Sequence, residues 1–267
     1  MFSQEPRRFL KKNQLMEVIC QFRFPEILAI AAKPPVDFQE AIRDEFPQYS
    51  ARKEIPAEVC PAPKIAGTPG NFSLQNQPET INYQFAAADG SWRVNLTSKF
   101  ISLASSRYTS WEDFAKKLDR PLAAFIQIYK PAYYERVGLR YINAFSRKDL
   151  DLEGVPFREL FQPCYLGILG EEDVNEASTT RCSMDVEIAL RGGCRAKIHA
   201  GPGMVKRGGQ EDKEVRFILD NDLFMSGNVP INLSAGAMQT LHQQAGSLFL
   251  GAVTQRLYDA LEPLELL

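Results

Sequence analysis

Residues 15–25, Leu-Met-Glu-Val-Ile-Cys-Gln-Phe-Arg-Phe-Pro, constrain the fold more than any other stretch of the chain. Val18, Cys20, Phe22 and Phe24 alternate with Ile19, Gln21 and Arg23. That alternation puts one set on a covered sheet face and the other set on the opposite face. Pro25 lacks the N–H that a ladder needs, so the strand closes there. A chain built on this segment must form a sheet with one apolar side. What covers that side, and what the other side does, are the questions the rest of the sequence has to answer.

At 267 residues the chain can bury a sizeable core as one domain or as two. Its net charge of −2 supplies no overall field for nucleic acid or anionic lipid, which argues against a dedicated nucleic-acid binder and leaves only local basic patches to consider. The N-terminal run Met-Phe-Ser-Gln-Glu-Pro-Arg-Arg-Phe-Leu-Lys-Lys is basic without an apolar stretch behind it, so no signal peptide is expected. The apolar C-terminal helix is interrupted by Gln243, Gln244, Gln255 and Arg256, so no membrane span is expected either. Cys20, Cys60, Cys164, Cys182 and Cys194 are odd in number and lack a CxxC spacing. Cys20 reads as a small buried hydrophobe, and a reducing, cytoplasmic compartment is expected.

Phe38, Ile42 and Phe46 recur at helical spacing and predict a short amphipathic helix ended by Pro47. Residues 55–80 carry Pro56, Pro61, Pro63, Pro69 and Pro78 with Gly67 and Gly70, and predict a long surface loop. Asp89-Gly90 joins two strands as a hairpin, and Phe100–Ala104 is a third. Ser110 followed by Asp113 opens a helix from Trp111 to about Tyr129, with a kink or break expected at Pro121. Tyr134–Phe145 is the clearest later strand. Hairpin strands are predicted around Gly192-Gly193, Gly201–Gly209 reads as a glycine-rich turn, and Val215–Phe224 as a strand. One long helix is expected from about Ser234 to Leu261.

These elements define an α+β fold: two consecutive antiparallel-sheet units, each covered by a long amphipathic helix. The N-terminal unit would span 1–148 and the C-terminal unit 149–267, unless the two form one continuous domain.

No catalytic pattern is present. HExxH, GxSxG and the phosphate-binding GK[ST] ending are absent. His199 and His242 have no ligand-spaced carboxylate or thiol around them, so neither metal nor cofactor is expected. Gly201–Gly209 could cradle an anion with Lys206 and Arg207, but a solvated hairpin loop explains it better. The acidic run Glu171, Glu172, Asp173 and Glu176 reads as solvated. The candidate site is the outward face of the strands: Gln21 and Arg23, Arg93 and Asn95, Arg136 and Arg140, with Tyr83 or Tyr108 at its rim. Arginine forks suit carboxylates, phosphates or base edges. The plainer alternative pairs each arginine with a nearby Glu17, Glu26, Asp89 or Glu135 on an ordinary solvated face.

Leu15–Pro25, Trp111-Glu112-Asp113-Phe114, Arg136-Val137-Gly138-Leu139-Arg140-Tyr141-Ile142-Asn143 and the Leu241–Phe249 run together resemble a sporadically distributed prokaryotic family of uncharacterised proteins of roughly 260 residues. The resemblance spans nearly the whole chain and implies no catalytic residues. It implies a defence-associated setting, such as a CRISPR or other anti-phage operon. The leading expectation is a non-catalytic protein-binding or adaptor protein that works through a sheet face or the proline-rich loop. The alternative is a nucleic-acid-associated accessory factor using the arginine face. A third reading is an enzyme with a site in a crevice between the halves.

Overall fold

The computed structural model describes residues 8–54, 80–207 and 210–264. The proline-rich stretch, apart from Thr80, lies outside the described residues. So do Gly208 and Gly209, at the tip of the expected glycine-rich turn.

Nine strands form one sheet: β1 (Leu15–Arg23), β2 (Gln48–Glu54), β3 (Thr80–Ala86), β4 (Trp92–Leu96), β5 (Phe100–Ser105), β6 (Tyr134–Phe145), β7 (Met184–Ala189), β8 (Cys194–Arg207) and β9 (Gln210–Val229). Their order is β2-β3-β4-β5-β1-β6-β9-β8-β7, and every pairing is antiparallel. The fold is therefore α+β, as expected, but the sheet is a single layer where the sequence suggested two. The reason lies in β1. It bonds β5 along one edge and β6 along the other, and β6 goes on to bond β9. Separate sheets would leave β1 and β6 each with an open edge of unpaired N–H and C=O groups, and their mutual pairing removes both. β1 lies beside β5, the last strand before α3, and β6 lies beside β9, the last strand before α4.

The helices gather on one face. They are α1 (Leu28–Ala32), α2 (Val36–Ile42), α3 (Trp111–Tyr129), α4 (Ser234–Leu250) and α5 (Gln255–Ala260). Helix α3 lies against α2 and β5, and α4 against β6 and β9. Ser110 caps α3 by accepting a hydrogen bond from the Asp113 amide at 3.1 Å. The helix runs unbroken through Pro121, where a kink or break was expected. The predicted C-terminal helix divides in two. Residues between its parts are drawn out by an Ala252 carbonyl accepting from Gln162 and by the Phe161–Val253 bridge. Thr254 then caps α5 while donating to the Glu159 carbonyl.

The first part of the expected glycine-rich turn is strand instead. Gly201, Pro202 and Gly203 belong to β8, opposite Ile218, Phe217 and Arg216. A Cβ at Gly201 would stand 2.5 Å from the Cys182 carbonyl oxygen, so glycine there lets residues 182–183 pass close beneath the strand.

Val18, Cys20, Phe22 and Phe24 are buried as the strand pattern requires, and Phe22 packs on Tyr134 with ring centres 4.9 Å apart. Phe145, Phe161, Phe157 and Phe217 extend the same core under the C-terminal half. Among the described residues no helix is long and apolar enough to cross a membrane.

Candidate functional site

The strand register carries the outward residues of β1 across the molecule. Ile19 stands opposite Ala104 and Arg140, Ala104 opposite Arg93, and Arg140 opposite Asp222. Arg23 stands opposite Arg136. Gln21 faces Ser102, which faces Asn95. Directly paired residues project to the same side, so Gln21, Arg23, Arg93, Asn95, Arg136 and Arg140 share the face away from the helices.

That face is internally compensated. Arg93 donates to Glu17 at 2.9 Å, and Arg136 donates to both oxygens of Asp222 at 2.7 and 2.8 Å. Arg140 holds both oxygens of Asp220, its Nε at 2.7 Å from one of them. This carboxylate fixes the Arg140 guanidinium still more firmly in its charged form. Arg195 pairs with Glu187, and His199 Nδ1 lies 2.8 Å from Asp185. Arg23 is exposed and makes no ion pair among the described residues. Of the partners the sequence offered, Glu17 is used. Glu26 instead accepts from Ser98, and Asp89 from Ser91 and Arg107. The carboxylates that hold Arg136 and Arg140 come from β9, far along the chain.

Gly138 explains how Arg136 reaches its partner. A Cβ there would sit 2.3 Å from Arg136 Nη1, so a side chain at this position would push the guanidinium out of its place flat across the sheet. In that position its guanidinium rests 4.5 Å from the Phe224 ring centre. Beside it runs an amide ladder: Gln84 donates to Asn95 at 3.0 Å, and Asn95 donates to Ser102 at 3.2 Å.

The tyrosines expected at the rim lie on the other side. Tyr83 is buried in the core. Tyr108 helps line a cavity of about 130 Å³ on the helix side of the sheet, bounded by β6, β9, α4, the start of α3 and residues 8–15. The cavity is hidden in the sequence because its polar members come from five separate segments. Tyr141 on β6 and His242 on α4 hydrogen-bond through the tyrosine hydroxyl and Nδ1 at 2.7 Å. Trp111, the first residue of α3, stacks on His242 with ring centres 4.4 Å apart and donates to Gln239, tying the two long helices together. Asn143 and Asn221 project from β6 and β9 into the same space. The wall formed by residues 8–15 is pinned to the C-terminal segment by the amides of Lys11 and Lys12, which donate to the carbonyls of Glu262 and Leu261.

His199 and its acidic neighbours do not form a metal centre: no cluster of three His, Cys, Asp or Glu side chains among the described residues could hold an ion. Glu176, read as part of a solvated run, accepts from Arg147 at 2.6 Å and from the Phe157 amide at 2.7 Å, and so secures the loop.

No known family model matches the chain, and no curated protein sequence matches it.

Proposed function

We propose that this chain is a non-catalytic binding protein of the prokaryotic cytoplasm, made of two strand-and-helix halves, whose uncovered sheet face docks another protein. One observation carries the reading: cations and carboxylates are interleaved across that face, with Arg93 on Glu17, Arg136 on Asp222, Arg140 on Asp220 and Arg195 on Glu187. A mixed-charge surface offers register and specificity to a protein partner. A phosphate backbone needs surplus positive charge, and here only Arg23 is left over among these arginines. An accessory role in a defence operon suits such an adaptor.

Affinity purification from the native host tests this. The wild type should recover one protein in constant proportion, and the double substitution Arg23→Glu with Arg140→Glu should lose it while keeping its circular dichroism. Equal recovery by both proteins would remove the face from consideration. Binding to mixed RNA or DNA that weakens steeply with salt would favour the nucleic-acid alternative.

A further inference from the structure

The cavity on the helix side contains the molecule's clearest unmet chemical demand. Asn221 is only 2% exposed, yet its side-chain Oδ1 is buried without a hydrogen-bond partner, and no hydrogen bond of its amide nitrogen is made to any described residue. A buried carboxamide left unpaired is costly, and such groups mark a place where a ligand or ordered water completes the bonding. Asn143, itself 4% exposed, donates to the Leu219 carbonyl at 3.3 Å and keeps its own Oδ1 as an acceptor. Asn143 pairs with Leu219 and Asn221 with Tyr141, so the two residues are diagonal neighbours on one face, with backbone positions about 7–8 Å apart by sheet geometry. One small molecule can touch both.

The rest of the lining narrows the chemistry. Tyr108, Tyr141 and Phe249 supply ring faces and edges, while Leu15, Ala245 and Leu250 supply apolar wall. Among the described lining residues Arg8, exposed at the mouth, is the only Lys, Arg, Asp or Glu. An ion placed at the two asparagines would be desolvated without a counter-charge. At about 130 Å³ the space is slightly smaller than the roughly 150 Å³ cavity that accepts one benzene ring, so it suits a single ring. Two carboxamides can offer acceptor and donor together, which complements a ring carrying adjacent N–H and C=O groups.

We infer that this cavity is a binding site for a neutral, single-ring lactam of the pyrimidine type, read at its N–H/C=O edge by Asn221 and Asn143. The site is separate from the open sheet face and stands whether or not that face docks a protein. The ring can arrive as the free base or as the base of a nucleoside whose sugar remains at the mouth beside Arg8 and Thr109.

Titration calorimetry on the full chain distinguishes these sources and tests the site. The probes are uracil, uridine, benzene and the charged analogue orotate. Saturable binding of uracil or uridine is expected, with benzene and orotate weaker by about tenfold or more. Stronger binding of uridine than of uracil would identify the nucleoside as the source, and the reverse order the free base. Asn221→Leu, which keeps the volume and removes the unpaired amide, should weaken the lactam about tenfold or more and raise the melting temperature of the ligand-free protein. Asn143→Leu provides the same binding test if the first variant does not fold. The inference is overturned if no lactam saturates, if benzene or orotate binds as well, or if a folded variant binds undiminished.

Discussion

The two faces of the sheet handle polar groups in opposite ways. On the open face, nearly every charge has found a partner across the strands, as Arg136 has in Asp222 and Arg140 in Asp220. On the covered face, polar groups are few and one of them, Asn221, has been left unpaired at the wall of a cavity. Charge density alone therefore points to the wrong place for small-molecule recognition. A satisfied ion pair has little left to offer a ligand, whereas an unsatisfied buried amide gains the full hydrogen bond when one arrives. The open face is suited to broad contact and the cavity to a single specific molecule.

The largest effect should come from setting the faces against each other within one strand. Phe22→Ala should cost about 3–5 kcal/mol, since its ring is wholly buried against Tyr134. Its neighbour Gln21→Ala, on the open face, should change stability by less than about 0.5 kcal/mol. Urea denaturation of both variants measures the gap. Similar losses at the two sites would mean that the open face is covered by something else.

A smaller effect separates a built network from independent surface pairs. Asp222→Ala should destabilise by about 1–3 kcal/mol, because it strands the mostly buried Arg136 guanidinium. Gly138→Ala should cost a comparable amount, as its Cβ displaces the same guanidinium. The double variant should then cost much less than the sum, since each change breaks the same arrangement. Strict additivity in denaturation would show that Gly138 and Asp222 act separately.

Ser110→Ala removes the cap of α3 at the rim of the cavity and should cost about 1 kcal/mol. The capped amide of Asp113 should lose protection in hydrogen exchange, with the open face unchanged. Loss of protection at Asn95 or Ser102 instead would show that the two faces are coupled through the sheet.

How far the sequence discloses these regions depends on the distance over which each is assembled. β1, the Asp89-Gly90 hairpin and the limits of α3 are visible because alternation, turn chemistry and the Ser110 cap act over a few residues. The common face of Gln21, Arg23, Arg93, Asn95, Arg136 and Arg140 is visible for the same reason: side chains alternate with the backbone. Whether those arginines are occupied is not visible, because Asp220 and Asp222 reach them only through the β6–β9 register. The division between α4 and α5 is hidden in the same way, since it depends on the chain near Phe161 bonding the connector. The cavity is the least legible of all. Tyr141 and His242 each look like core residues, and Asn143 and Asn221 look like ordinary strand polars, until β6, β9 and α4 bring them together.

The smallest expected effect tests whether ion pairs outside the sheet are as weakly stabilising as their exposure implies. Arg120 donates to Asp44 near the α2–α3 contact, and that hydrogen bond holds the Asp44 carboxyl below its ordinary value, against a slight opposing effect of burial. A carboxyl whose folded-state value is depressed adds stability above its unfolded value of about 3.9, and loses it as pH falls through the lower folded value. Asp44→Asn should therefore be slightly less stable than the wild type at neutral pH, and the difference should close as the buffer is taken below about pH 4. Urea midpoints across that range measure it. A difference that stays constant with pH would assign the cost to lost packing rather than to the charge, and would remove the distinction drawn between Asp44 and the more buried Asp222. A difference as large as that of Asp222→Ala would mean that partial burial on the open face adds nothing to the strength of its pairs.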